Sequence, residues 1–331
     1  MNHFIVTGAA GFIGSHLCQK LLSAGNTVFG IDNFCDFYDP EIKRGNIEEA
    51  SQAVTGEGSF HLYEGDIRDK KFLEKTAKDI NIITGNIENV VLIHLAAMAG
   101  VRPSLLNPEL YQEVNVGGTL NILEICRKFK ISRLVFASSS SVYGENTSVP
   151  FSEKTPTDRP ISVYAATKKA GEAMCHAYSH LYNIKTVCLR FFTAYGPRQR
   201  PDLAIHKFAK LITEGKSVPV FGDGSTSRDY TYIDDITDGV VKAAVLTGSD
   251  DFEEKFDIFN LGESQTVKLI DLVKLIEKEL EKEALIEWLP LQPGDVPVTF
   301  ADISHSREIL GYNPTTKIEH GVREFVKWFK R

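Results

Sequence analysis

The eight residues Thr7 to Gly14, T-G-A-A-G-F-I-G, constrain the fold of this chain more than any other stretch. They join the apolar run Phe4-Ile5-Val6 to a second run that opens at Phe12-Ile13 and carries Leu17, Leu21 and Leu22 at helical spacing. The first run reads as a strand and the second as a helix. Gly8, Gly11 and Gly14 stand on the turn between them. Such a turn uses one glycine to bend sharply, one to let a pyrophosphate reach the backbone, and one to let the helix press on the sheet. The helix N-terminus at Phe12 and Ile13 offers N–H groups and a positive dipole to the phosphates. The next apolar run, Val28-Phe29-Gly30-Ile31, ends at Asp32-Asn33, where an acidic residue meets the hydroxyls of an adenosine ribose. An acid there repels a 2′-phosphate, so the expected dinucleotide is NAD rather than NADP.

Further strand-like runs follow at Phe60-Tyr63, Val90-Leu95, Leu134-Ala137 and Thr186-Arg190, separated by helical stretches that include 110–129 and 163–182. Nearly continuous apolar strands alternating with helices predict an α/β fold of Rossmann type, a doubly wound parallel sheet covered on both faces. From Gly196 the texture changes. Helical patterns recur at 204–214, 234–246, 267–281 and 319–329, but the strands between them are short and Pro and Gly punctuate them. The expected organisation is a dinucleotide-binding domain over 1–195 and a smaller, mainly substrate-binding α/β region over 196–331, with a soft boundary.

Composition narrows the function. A formal net charge of −7, with no basic run interleaved with aromatics, argues against nucleic acid and anionic membranes as partners. No apolar stretch approaches the roughly 20 residues of a membrane span, and the N-terminal run reads as a strand rather than a signal peptide. The five cysteines (Cys18, Cys35, Cys126, Cys175, Cys188) are scattered without metal-type spacing. They read as reduced, packed thiols of a cytoplasmic protein, and no metal is expected.

The chemistry is carried by Tyr164 and Lys168 in Y-A-A-T-K. Their i, i+4 spacing puts both side chains on one helix face. An ammonium beside a phenol favours the phenolate, which makes a general base able to take a hydroxyl proton as hydride leaves the same carbon. A Tyr-x-x-x-Lys pair alone is common by chance. Upstream, however, Phe136-Ala137 runs into Ser138-Ser139-Ser140-Ser141-Val142-Tyr143-Gly144. Hydroxyls at the carboxyl end of a central strand face the cofactor cleft.

In these motifs the chain resembles the extended short-chain dehydrogenase/reductase family and, within it, the nucleotide-sugar 4-epimerases. The resemblance covers essentially the whole chain. It rests also on Asp66-Ile67, His94-Leu95-Ala96-Ala97, Asn115 and the run Ser227 to Asp235, S-R-D-Y-T-Y-I-D-D. It implies a catalytic trio of Ser139, Tyr164 and Lys168. It also implies that Asp66 and Ile67 line the adenine pocket, that Leu95, Ala96 and Ala97 run beside the cofactor, and that Lys43 touches its adenosine side. Relatives that dehydrate carry an Asp-Glu pair at the positions of Ser140 and Ser141, and those that decarboxylate a uronic acid tend to carry Glu at the position of Ser141. Neither carboxylate is present here, which leaves oxidation at C4 and re-reduction from the opposite face.

The run Phe191 to Pro197 with Thr193, and Gln292-Pro293-Gly294-Asp295-Val296, resemble the UDP-glucuronate 4-epimerases; UDP-galactose 4-epimerases more often have Asn at the position of Thr193. Val298 departs from a polar residue common in that segment. The implied substrate contacts are Arg102, Ser140, Ser141, Thr193, Arg200, Phe221, Arg228 and Asp295. Arg200 and Arg228 would grip the diphosphate, since guanidinium forks suit phosphate oxygens. Phe221 would stack on uracil, and Asp295 would take ribose hydroxyls. The resemblance further implies a homodimer through a four-helix interface formed by 110–129 and 163–182. Competing readings are a UDP-hexose or UDP-N-acetylhexosamine 4-epimerase, a net dehydrogenase or reductase, and a non-catalytic dinucleotide sensor.

Overall fold

The computed structural model describes residues 2–145, 148–290 and 297–331. The chain opens with β1 (His3–Thr7), α1 (Phe12–Ser23), β2 (Thr27–Asp32), α2 (Pro40–Ser51), β3 (Phe60–Glu64), α3 (Lys70–Thr84) and β4 (Val91–His94). Short helices α4 (Val101–Leu106) and α5 (Pro108–Tyr111) lead into α6 (Thr119–Phe129), followed by β5 (Arg133–Ser139), α7 (Val163–Tyr182) and β6 (Lys185–Phe191). Beyond these come β7 (Thr193–Tyr195), α8 (Ala204–Thr213), β8 (Ser217–Phe221), β9 (Ser227–Tyr232), α9 (Ile233–Leu246), β10 (Phe256–Leu261) and β11 (Thr266–Lys268). The last elements are α10 (Leu269–Leu280), β12 (Leu285–Leu289), α11 (Ser304–Leu310) and α12 (Ile318–Phe329).

These elements form two compact units. The first gathers Met1–Gly144, Pro156–Arg190 and Thr237–Phe259, and the second Glu145–Thr155, Phe191–Ile236 and Asn260–Arg331. The main sheet has seven strands in the order β10-β6-β5-β4-β1-β2-β3. Strand β1 pairs in parallel with β2 on one side and β4 on the other, so the winding reverses between β1 and β4. This is the Rossmann-type sheet expected from the sequence. Strands β2 and β4 are buried along their whole length. Phe29, Ile31, Leu92, Leu134 and Phe136 form one core with Ile80 of α3 and Ile122 and Ile125 of α6. At such a reversal the carboxyl ends of the strands leave a crevice for ligands.

One departure from the expected helices bears on the site. The amphipathic stretch 110–129 is not one α-helix: Gln112–Gly118 is wound as a π-helix between α5 and α6. A Cβ on Gly118 would collide with the Ile67 side chain, and the Asn115 side chain is bonded away from its own helix, as described below. A wide turn is a frequent helical irregularity at functional sites.

In the second unit, β9 lies between β11, antiparallel, and β7, parallel, and β12 pairs in parallel with β8. Helices α8, α10 and α12 bury Phe208, Ile212, Leu272, Ile276, Val322 and Phe325. Asp229 on β9 is fully buried and accepts backbone N–H groups of Glu263 (2.8 Å), Ser264 (3.1 Å) and Ala301 (3.1 Å). Asp235 likewise accepts the N–H groups of Thr315 and Thr316. Burial pushes the Asp229 carboxyl up to about 6, against those hydrogen bonds. Two acids of the Ser227–Asp235 motif are therefore braces for loops.

Candidate active site

The glycine turn has the expected form. Gly8 adopts φ +71°, and its N–H donates to Ile31 O (2.8 Å), tying the turn to β2. A Cβ on Gly8 would stand 2.8 Å from the Ala96 nitrogen, and one on Gly14 would collide with the Gly8 carbonyl. Gly11 is the N-cap of α1, where no side chain caps the helix. Phe12 and Ile13 are its first residues, so their N–H groups point out of the helix start.

Asp32 closes β2 and is buried. Its Oδ2 accepts the Ala10 N–H (3.0 Å) and its Oδ1 the Phe34 N–H (2.9 Å). Burial raises its pKa, opposed by those hydrogen bonds and by the charge of Lys43. Lys43, itself buried, donates to Cys35 O (2.6 Å) with its ammonium 3.1 Å from Cys35 Sγ. Asn33 donates through Nδ2 to Asp66 Oδ2 (2.8 Å), and Arg68 grips the same carboxylate through Nε and Nη2. Burial alone would raise the Asp66 pKa, but Arg68 and Asn33 hold it below the usual value. Asp32 thus ends β2 against the glycine turn, Asn33 follows it, Lys43 reaches back from α2, and Asp66 and Ile67 follow β3. Leu95 and Ala96 donate their N–H groups to Thr7 O and Thr7 Oγ1, and Ala97 follows in the same segment.

These residues fit a dinucleotide. Gly8 and Gly14 form a cradle that any Cβ would fill, the α1 N-terminus lacks a side-chain cap, and each Asp32 oxygen retains acceptor capacity for a hydroxyl. NAD held there supplies a hydride acceptor and donor.

Of the catalytic candidates, Ser139 ends β5, and Lys168 reaches the same strand end from α7, which also carries Tyr164. Ser139 is its last residue; its hydroxyl accepts the Ser141 N–H and donates to Ser141 Oγ, both at 3.2 Å. Ser140 opens the short 3-10 turn that follows. Helix α7 starts at an N-cap, Ser162, whose Oγ accepts the Ala165 N–H (3.1 Å). Tyr164 therefore lies in the first turn, with its N–H donating to Ser104 Oγ (3.1 Å). Lys168 is buried one turn on and donates to Ala137 O (2.7 Å), two residues before Ser139. Burial brings the Lys168 ammonium down to about 8.

Helix and strand are locked together by residues not singled out from the sequence. Glu172, one turn past Lys168 on the same face, accepts the Ser138 hydroxyl (2.6 Å) and a two-pronged contact from Arg190 of β6 (2.8 and 3.0 Å). Arg190 also donates to the Tyr143 hydroxyl (3.1 Å). Burial opposes the charge on Glu172, but Arg190 holds its pKa below the usual value. The spacing Tyr164, Lys168, Glu172 was readable in the sequence; the partners Ser104 and Arg190 come from distant segments.

The remaining candidates lie on other elements. Arg102 lies exposed on α4. Thr193 is on β7, in register with Tyr230 on β9. Arg228, also on β9, donates to Ser227 O (3.0 Å) and Pro297 O (3.4 Å). Arg200 makes a two-pronged ion pair with Asp202 (3.0 and 2.8 Å), a partner that the expected diphosphate role must displace or share. Phe221 ends β8 opposite Leu289. Asp295 and the rest of 292–296 lie outside the described residues.

A parallel sheet reversing at a glycine turn, with Ser, Tyr and Lys at the next strand end, defines a dinucleotide-dependent enzyme class. The sequence model of the family described as GDP-mannose 4,6 dehydratase matches residues 5–325, and the chain belongs to this family within the short-chain dehydrogenases/reductases. It is 43% identical to UDP-glucuronate 4-epimerase 4 of Arabidopsis thaliana, over 98% of this chain and 74% of that one. It is similar to the solved UDP-glucuronic acid 4-epimerase of Bacillus cereus in complex with UDP-glucuronic acid and NAD, at 37% identity and TM-score 0.87 over 99% of both chains. The UDP-glucose 4-epimerase of Thermus thermophilus in complex with NAD is similar at 29% identity and TM-score 0.83, again over 99% of both.

Proposed function

We propose that the protein is an NAD-dependent UDP-sugar 4-epimerase that interconverts UDP-glucuronate and UDP-galacturonate through a transient 4-keto sugar. The observation that carries the reading is the Ser139–Tyr164–Lys168 arrangement beside an intact glycine cradle, with serines rather than carboxylates at positions 140 and 141. Elimination of water from the sugar needs an acid and a base at those positions, so epimerisation is favoured over the dehydration that gives the family its description. The likeness to UDP-glucuronate 4-epimerases supports the sugar.

Gly8, Gly11, Phe12, Ile13, Gly14, Asp32, Asn33, Lys43, Asp66, Ile67 and 95–97 hold the cofactor. Ser139 fixes the C4 hydroxyl, and Tyr164, as phenolate, takes its proton and later returns it. Lys168, anchored on Ala137 O, supplies the positive charge that favours the phenolate. Arg102, Ser140, Ser141, Thr193, Arg200, Phe221, Arg228 and Asp295 hold the UDP-sugar. The UDP half stays anchored while the 4-keto sugar turns over to present its other face.

The protein is further expected in the cytoplasm and as a homodimer built on 110–129 and 163–182; sedimentation at micromolar concentration should give twice the chain mass, and a monomer would contradict it. The test of the function is incubation with a panel of UDP-sugars followed by separation of C4 epimers. UDP-glucuronate should convert fastest, with no net change in NADH. The similarity to a UDP-glucose 4-epimerase keeps a second reading in view: faster conversion of UDP-glucose, or of UDP-N-acetylglucosamine, would put a neutral sugar in place of the glucuronate.

A further inference from the structure

His94 ends β4, directly across from Thr7 in the register of β1, at the reversal point of the sheet. It is 2% exposed, and burial, reinforced by the charge of Lys168, lowers its pKa to about 3. Hydrogen-bond bookkeeping fixes its form. The Thr119 hydroxyl spends its single proton on Asn115 O (2.6 Å), so it accepts from His94 Nε2 (3.1 Å). The Thr7 hydroxyl accepts the Ala96 N–H (3.1 Å) and gives its own proton to His94 Nδ1 (2.7 Å). His94 is therefore the neutral Nε2–H tautomer, accepting on one side and donating on the other.

The chain extends in both directions. On the Thr7 side it fixes Ala96, whose nitrogen is what a Cβ on Gly8 would touch. On the Thr119 side it reaches Asn115, whose side chain brackets Met98 (2.8 Å from its N–H, 2.9 Å to its carbonyl) and donates to Thr167 Oγ1 (3.0 Å). Thr167 Oγ1 in turn donates to the carbonyl of Tyr164 (2.8 Å). One run of hydrogen bonds thus leads from the glycine cradle to the backbone of the catalytic tyrosine, with His94 at its centre.

We propose that His94 is a positioning residue with two separable jobs: its Nδ1 sets the cofactor cradle through Thr7 and Ala96, and its Nε2–H sets Tyr164 through Thr119, Asn115 and Thr167. Neither nitrogen touches substrate. A buried apolar side chain could fill the volume, but it would leave the Thr7 hydroxyl proton without its acceptor and take from the Thr119 hydroxyl the N–H it accepts. The neutral form matters as well, because a cation there would repel Lys168.

The experiment separates the two arms. His94→Asn keeps an acceptor at the Nδ1 position and loses the donor; His94→Gln keeps a donor at the Nε2 position and loses the acceptor. The Asn variant should retain bound NAD while its kcat falls by about 10²-fold, the scale of a roughly 1 Å misplacement. The Gln variant should keep kcat at saturating NAD while its NAD dissociation constant rises about tenfold, the scale of one lost hydrogen bond. Thr119→Val removes the Tyr164 arm while leaving His94 and its Thr7 contact in place, and should reproduce the Asn variant. NAD content after gel filtration and melting temperature are read beside turnover.

Asn and Gln variants that lose NAD and turnover together, in step with melting temperature, would reduce His94 to a packing role and overturn the proposal. A Thr119→Val protein with wild-type kcat would do the same. The proposal rests on the NAD-dependent reading. Wild-type protein that binds no NAD would sink that reading, whereas variants that fail to divide the two arms would sink only this one.

Discussion

The two units hold their candidate residues in different ways. In the first, site groups stand at strand ends or in the first turns of helices and are fixed by buried hydrogen bonds: Asp32 by two backbone N–H groups, Lys168 by Ala137 O, the helix carrying Tyr164 and Lys168 by Glu172 and Arg190. In the second, Thr193 and Arg228 sit on short strands, and Arg200 follows the Gly196 turn and is engaged by a neighbouring carboxylate. The most firmly held acids there, Asp229 and Asp235, bind backbone and are spent on architecture. On the proposed reading, chemistry that must recur with the same geometry each turnover is built on the ends of the main sheet and its helices, while recognition of the sugar nucleotide falls to residues on short strands and turns. Substitutions in the first unit's catalytic trio should therefore strike kcat, and those in the second unit should strike substrate handling.

The hardest blow to that contrast would come from Tyr164. Tyr164→Phe removes the proton carrier and nothing else, so kcat should fall by about 10² to 10⁴-fold, with NAD and UDP-glucuronate binding retained. Isothermal titration and initial rates on the same preparation decide it. A variant that loses binding as much as rate would mean the tyrosine recognises substrate, and the division of labour between the units would dissolve.

A smaller effect comes from pH, through Lys168. Its ammonium titrates at about 8 rather than 10.5 because it is buried. Below about 8 it is charged and supports the phenolate; above, the charge is lost, and kcat should drop roughly tenfold per further pH unit. Stability moves the other way. Between about 8 and 10.5 the unfolded chain binds a proton that the folded chain has released, so this group makes folding more favourable as pH rises through that window. Activity that falls while the melting temperature holds is the expected signature. A rate that stays level to pH 10 would remove Lys168 from the mechanism, and a rate that falls only with unfolding would leave the limb to denaturation.

The sheet was legible because its strands are buried on both faces: Val28-Ile31 and Val90-Leu95 read as strands with no help from context, and Asp32 fell at the strand end where the fold puts it. The Ser-Tyr-Lys motifs were legible because each lies within a few residues of sequence. What escaped is made across distance. Arg190 looked like the end of a hydrophobic strand, and only the packing of β6 beside β5 shows it clamping Glu172. The π-helical turn at Gln112–Gly118 escaped for the same reason: periodicity cannot see that Ile67 packs against Gly118 or that Met98 bonds the Asn115 side chain. In Ser227–Asp235 the sequence marked the motif but not that Asp229 ties together two distant backbone segments, at Glu263-Ser264 and at Ala301.

The smallest effect tests the second unit's side of the comparison. Oxidising UDP-glucuronate at C4 places a ketone β to the C6 carboxylate, a β-keto acid prone to lose carbon dioxide. An epimerase must hold that carboxylate so that the breaking C–C bond is poorly aligned with the ketone, and must return the hydride before the bond breaks. Neutral hydroxyls suit the task, because they fix the anion without setting another carboxylate against it. Ser140, Ser141 and Thr193 are the proposed holders. One hydroxyl hydrogen bond is worth about 0.5–1.5 kcal/mol, so Thr193→Ala should slow epimerisation of UDP-glucuronate only about 2- to 10-fold. Its distinctive mark is in the products: a larger share should leave as the decarboxylated 4-keto-pentose, with one NADH left behind for each. Turnover of UDP-glucose, which has no carboxylate to hold, should change less. Product analysis by mass spectrometry reads both. Equal losses on the two sugars, with no pentose, would show that Thr193 shapes the pocket without gripping the carboxylate, and substrate discrimination would have to be sought in the first unit after all.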